Sequence, residues 1–161
     1  MKVGDQMRDL LLRMLDEAFE KKAWHGPNLK GSLRGITAEE AAWRPGRGRH
    51  NIREIAVHAA YWKYAVRRRL LGEKRGSFAL KGSNWFERPS TLTEGGWKND
   101  LTLLSAEHRR LREAIITLPL SKLGRTSGSY TTTALIYGIA NHDIYHAGQI
   151  QLLKRLLSQR S

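Results

Sequence analysis

The sequence predicts an all-α fold, a four-helix bundle, on three observations. Four segments repeat apolar residues at the three- and four-residue intervals of one helical face, no segment alternates with the two-residue period of a half-buried strand, and Gly or Pro follows three of the four segments. The first segment runs from about Asp5 to Trp24, with Met7, Leu10, Leu11, Met14, Leu15, Ala18 and Phe19 on one face, and stops at Gly26 and Pro27. Residues 28–50 are a mixed connection. Within it Thr37 and Glu40 make a capping box that starts one or two turns through Ala41, Ala42 and Trp43, before Pro45, Gly46 and Gly48 break the chain.

The second helix spans Asn51 to Leu71, capped by Asn51 with Glu54 three residues on and stopped at Gly72. Ile52, Ile55, Ala59, Trp62 and Val66 form its inner face, with His58 at the edge of that stripe. The connection from Glu73 to Gly95 is long enough to carry the chain from one end of a bundle to the other, and Phe78, Leu80, Trp85 and Phe86 predict that it packs across the helices. The third helix covers Trp97 to Leu118, with Trp97, Leu101, Leu104, His108, Leu111, Ile115 and Leu118 in a heptad series ended by Pro119. After a Gly/Ser loop over residues 120–130, the fourth helix starts at Thr131 to Thr133 and reaches Leu157.

A chain of 161 residues suits one domain over residues 1–161. It has no Cys, so any metal must be held by nitrogen and oxygen, and this composition fits a reducing cytoplasm. The charged, amphipathic start does not read as a secretory signal, and no apolar stretch nears the roughly 18 residues of a membrane span, so a cytoplasmic protein without membrane contact is expected. A net charge of +13 favours an anionic partner. Lys and Arg are spread along the chain with no zinc-finger spacing, RNP-like motif or helix-turn-helix pattern, so specific nucleic-acid binding is not expected and a small anionic substrate is. Bundles of this size commonly pair through a helical face, which makes a homodimer the assembly to test.

His142 and His146 are the residues from which function is best read. At about 100° per residue they project with Leu135, Ile139, Ile150, Leu153 and Leu157 into one stripe, where Leu or Ile would ordinarily stand. Desolvating two imidazoles costs on the order of 1–3 kcal/mol each unless their nitrogens find partners, and one cation shared by both is such a partner. A third ligand must come from another helix, and His58 is the candidate. Three imidazoles with open positions make a minimal site for Zn²⁺, Ni²⁺, Fe²⁺ or Mn²⁺. The alternative is a pair of core histidines satisfied by hydrogen bonds alone.

The string from Asn141 through His142, Tyr145, His146, Gly148 and Gln149 to Ile150 resembles the His-x-x-x-His-x-Gly-Gln signature of the DinB/YfiT-like metalloproteins. Asn51 to Trp62, around His58, is similar to that family's earlier histidine segment, and Trp24-His25-Gly26-Pro27 to an element of one DinB-like branch. The resemblance implies a four-helix bundle of up-down-down-up topology and a divalent metal on His58, His142 and His146. It also implies a metal-dependent transferase joining a low-molecular-weight thiol such as bacillithiol, mycothiol or glutathione to an electrophile, or a hydrolase activating water. A non-catalytic metal-binding stress or sensing protein is the alternative, and a basic nucleic-acid-binding protein a more remote one.

Around that centre, Gln149 is placed to hydrogen-bond a bound water or a ligand's second nitrogen, and Tyr145 to act as a general acid. His25 reads either as a helix-end residue or as a group at the pocket mouth. Asp143 points off the stripe and is expected to be solvated, and His108 to be a core residue. Arg47, Arg49 and Arg53, at the entrance to the second helix with Arg44, are the candidate anchors for the carboxylates of a thiol cosubstrate, whereas Arg67, Arg68 and Arg69 lie near its far end.

Overall fold

The computed structural model describes residues 3–89 and 93–159; residues 1, 2, 90–92, 160 and 161, and the Ser127 side chain, lie outside that description, so part of the predicted 73–95 connection does too. The described chain is all-helical apart from one short hairpin. Its elements are α1 (Val3–Phe19), α2 (Leu29–Ser32), α3 (Ala38–Ala42), α4 (Ile52–Leu71), α5 (Glu94–Thr117), a 3-10 turn at Leu120–Lys122, β1 (Thr126–Ser127), β2 (Tyr130–Thr131) and α6 (Thr132–Ser158). The four long helices are those expected from the sequence. First, α1 ends at Phe19 rather than Trp24, leaving Trp24 fully exposed. Second, α5 begins at Glu94 because the Thr93 hydroxyl accepts from the Gly96 N–H at 3.0 Å and caps it earlier than the apolar pattern suggests.

Local chemistry sets the remaining ends. Both expected capping boxes form, Thr37 with Glu40 and Asn51 with Glu54, and Gly72 closes α4 in the left-handed conformation at φ 73°. Thr131 caps α6 by accepting from the Ala134 N–H at 3.1 Å. The two-residue strands pair antiparallel, Thr126 opposite Thr131, in the segment expected to be plain loop. The short α2 was not anticipated either; Asn28 caps it by accepting from Gly31 N–H at 2.8 Å.

The helices α1 and α4 each pack against α5 and α6. Arg53 pairs with Asp100, and Arg67 lies 3.8 Å from Glu107, joining α4 to α5 near their starts and again further along. By contrast Arg8, early in α1, donates to the Leu118 carbonyl just past α5, and Asp16 pairs with Arg112.

Two apolar clusters occupy the interior. One joins Phe19, Leu29, Ile52, Ile55, Leu104 and Ile150; the other joins Leu11, Leu15, Val66, Leu111, Ile115 and Ile136. Between them in sequence on every one of α4, α5 and α6 stand buried polar residues: Lys63, then Glu107 and His108, then Asp143. His142 and His146 lie on this stretch of α6, and His58 stands on α4 five residues before Lys63, beside residues of the first cluster.

Candidate metal centre

The capped start of α4 fixes where His58 points. Asn51 accepts from Glu54 N–H at 2.8 Å, and the Glu54 carboxylate accepts from Arg44 and from His50 Nδ1, 3.0 Å away, so the 44–50 segment is tied to the first turn of the helix. His58 is buried one turn further along. It faces His142 and His146, one turn apart on α6. His58 Nε2 lies 3.2 Å from His142 Nε2, and His146 Nε2 lies 3.0 Å from the same atom. The three candidate ligand atoms lie within 4.8 Å of one another.

The outer nitrogens decide what the inner ones can do. His58 Nδ1 is 2.9 Å from the Asn84 carbonyl, which only accepts, so the ring proton sits on Nδ1 and Nε2 carries a lone pair. His146 Nδ1 lies 2.7 Å from Gln149 Oε1 and donates to it in this amide orientation, in which Gln149 Nε2 donates to the Tyr145 hydroxyl at 3.0 Å. Its Nε2 is therefore a second inward lone pair. One N–H on His142 cannot satisfy both, and protonating its Nε2 leaves the buried Nδ1, which has no partner, as a wasted acceptor. A cation about 2.0–2.1 Å from each nitrogen would set neighbouring nitrogens about 3.0–3.4 Å apart, the spacing of the His58–His142 and His142–His146 pairs. Burial favours the neutral rings that such binding needs, holding His58 at about 4, His142 at about 3 and His146 below its ordinary value.

Two residues of the 73–95 connection complete the site, and sequence reasoning gave neither a role in it. Asn84 adopts φ 63°, which Asn tolerates better than most residues, and from there its carbonyl meets His58 while its side-chain oxygen accepts from Trp62 Nε1 at 3.0 Å. Trp85 stacks between His50 and His58, with ring centroids 3.6 and 3.8 Å away. The expectation that the connection packs across the helices holds, and its purpose is local: it orients a histidine. Only the aromatic residues in an otherwise Gly-, Ser- and Lys-rich stretch signalled it.

Other candidates fall elsewhere. Gln149 holds a histidine ring, and Tyr145, mostly exposed, supports Gln149. His25 is exposed in the turn after α1 and is not in the cluster. Arg47 and Arg49 are exposed on the segment leading to His50. Arg53 is not on a rim: it is buried and hydrogen-bonded to Asp100, whose other oxygen takes Arg88 at 2.7 Å.

The solvated role expected for Asp143 is wrong. It is fully buried and accepts from the equally buried Lys63. The helical wheel missed it because α6 is covered on two sides: its most buried line is Ile136, Ala140, Asp143, Ala147 and Ile150, and His142 and His146 form the shoulder beside it. Burial pushes the Asp143 carboxyl up to about 6 and the Lys63 ammonium down, each opposed by the attraction of the other. His108 is a core residue, stacked on Phe19 at 3.8 Å, with both ring nitrogens buried and unpartnered among the described residues.

A family profile described as the DinB superfamily matches residues 23–150, a span holding all three histidines. The comparisons with curated proteins and with solved structures give no match.

Proposed function

The chain belongs to the DinB superfamily, and from that membership and the three converging imidazoles we propose that it is a metal-dependent enzyme, with His58, His142 and His146 as ligands, that transfers a low-molecular-weight thiol to an electrophile. The observation that carries this reading is the convergence of three imidazoles, with the outer nitrogens of His58 and His146 partnered by the Asn84 carbonyl and by Gln149. A divalent cation held there, Zn²⁺, Ni²⁺, Fe²⁺ or Mn²⁺, supplies Lewis acidity to a thiol or water that reaches it. The protein's own part is to hold the rings neutral, to wall the site with Trp62 and Trp85, and to gather the anionic cosubstrate. Arg47 and Arg49, exposed beside His50, are the anchors we assign to the thiol's carboxylates. In the net reaction the thiol proton passes to solvent, sulfur bonds to the electrophilic carbon, and the leaving group departs with its bonding pair.

The same proposal takes residues 1–161 as one domain, a four-helix bundle of up-down-down-up topology. The paired starts of α4 and α5, and the opposed contacts of α1 with α5, support it. A cytoplasmic setting fits the cysteine-free chain, and a homodimer fits Tyr137, Ile144, Leu152 and Leu156, which α6 leaves exposed. Among the described residues, no helix is long and apolar enough to cross a membrane.

The test is a screen of metal-loaded protein with bacillithiol, mycothiol and glutathione against chlorodinitrobenzene and monobromobimane. Thiol-dependent turnover that disappears in His142→Ala supports the enzyme. Stoichiometric metal with no turnover for any thiol would leave a metal-binding protein without this chemistry.

A further inference from the structure

A groove of about 460 Å³ runs between α4 and α6 and ends at the histidine cluster. His142 and Trp62 form its inner end, Val66, Leu135 and Ile139 its walls, and Arg69 with Tyr130 its outer end. Arg69 is the one charged residue in the lining. It is exposed and makes no ion pair or side-chain hydrogen bond among the described residues, although its neighbour Arg67 is paired with Glu73 at 3.0 Å. From Trp62 to Arg69 is seven residues of helix, about 10 Å of rise.

Gly138 lines the groove on α6 between Ala134 and His142, and a Cβ there would meet nothing within 4 Å, so only a larger side chain would fill the groove at this point.

We propose that this groove binds an apolar monoanion about 10 Å long, its acidic group on the Arg69 guanidinium and its other end beside His142. It is the second substrate, the carbon electrophile, entering from the side opposite the segment that carries Arg47 and Arg49. The groove's apolar walls take the body of the molecule, and its lone cation, within a chain of net charge +13, selects an acid over a neutral analogue of the same length. Only the chemical role of the inner end rests on the metal-centre reading; the anion site stands on the groove and on Arg69.

Octanoate and octanol, of comparable length, are the probes, titrated calorimetrically into metal-loaded wild type, Arg69→Gln and Gly138→Leu, with the metal content of each measured in parallel. Octanoate should bind wild type about ten-fold more tightly than octanol. Arg69→Gln, a surface change, should erase that preference, and Gly138→Leu should weaken both ligands about ten-fold at unchanged helicity and metal content. Octanoate binding that is equal in wild type and both variants, or a wild type that does not favour the acid, overturns the proposal. Absence of metal alongside the expected binding pattern would instead overturn the metal-centre reading and leave the anion site standing.

Discussion

Two groups of buried polar residues share the middle of this molecule, and they are built in opposite ways. The Lys63–Asp143 pair is closed: donor meets acceptor directly, and both side chains are fully buried. His108 near it is capped by the face of Phe19. The three histidines are open toward one another: the outer nitrogens of His58 and His146 are occupied, that of His142 has no partner among the described residues, and the Nε2 atoms converge. A buried polar group that meets its opposite directly, as Lys63 meets Asp143, serves the fold. One whose neighbours turn like groups toward it has room for a ligand of opposite character.

The largest expected effect separates the histidines from each other. A divalent metal at about a thousand times its dissociation constant stabilises by about 4 kcal/mol, which for a domain of this size raises the melting temperature by about 10 °C. Thermal scans should show that rise in wild type and in His108→Leu, and no rise in His142→Ala. An equal response in His142→Ala would put the metal elsewhere.

Next comes the closed pair. Asp143→Ala leaves the Lys63 ammonium buried without a partner and should cost about 3–5 kcal/mol by denaturant unfolding, whereas Lys63→Met with Asp143→Leu should recover most of it. A mild single variant would mean that water reaches Lys63.

Much of the fold was legible because its signals are local. The boxes at Thr37 and Asn51, the stop at Gly72 and the spacing of His142 and His146 each lie within a few residues of chain. What was hidden depends on neighbours distant in sequence. Asp143 meets Lys63 across two helices, Arg53 meets Asp100, and the Asn84 carbonyl meets His58 from a connection with no periodicity. A helical wheel identifies one face of α6, and this helix has two.

Acidification of the metal-free protein should expose all the buried imidazoles. His58 at about 4, His142 at about 3 and His108 at about 2, with His146 also lowered, bind protons on unfolding once pH falls below their ordinary 6.5. Stability is therefore lost as pH falls through that window, at about 1.4 kcal/mol per pH unit for each such group. Asp143, raised from 3.8 to about 6, works in the opposite direction and offsets part of one group. Urea midpoints between pH 7 and about 4.5 should fall in wild type and fall less in His108→Leu; a flat profile would contradict the burial of the cluster.

Smaller effects should come from the supports. Gln149→Leu frees His146 Nδ1 and should weaken metal binding about 10- to 100-fold, measured by chelator competition. Arg47→Ala with Arg49→Ala should leave metal affinity unchanged and raise the thiol KM; unaltered kinetics would remove those arginines from the site.

The central claim is tested most directly by the metal content of protein purified without a histidine tag, after incubation with excess Zn²⁺, Ni²⁺, Fe²⁺ or Mn²⁺ in turn and exhaustive dialysis. About one equivalent per chain of at least one of these ions, retained by wild type and absent from His142→Ala, is the predicted result. A wild-type chain that keeps none of the four would contradict the account.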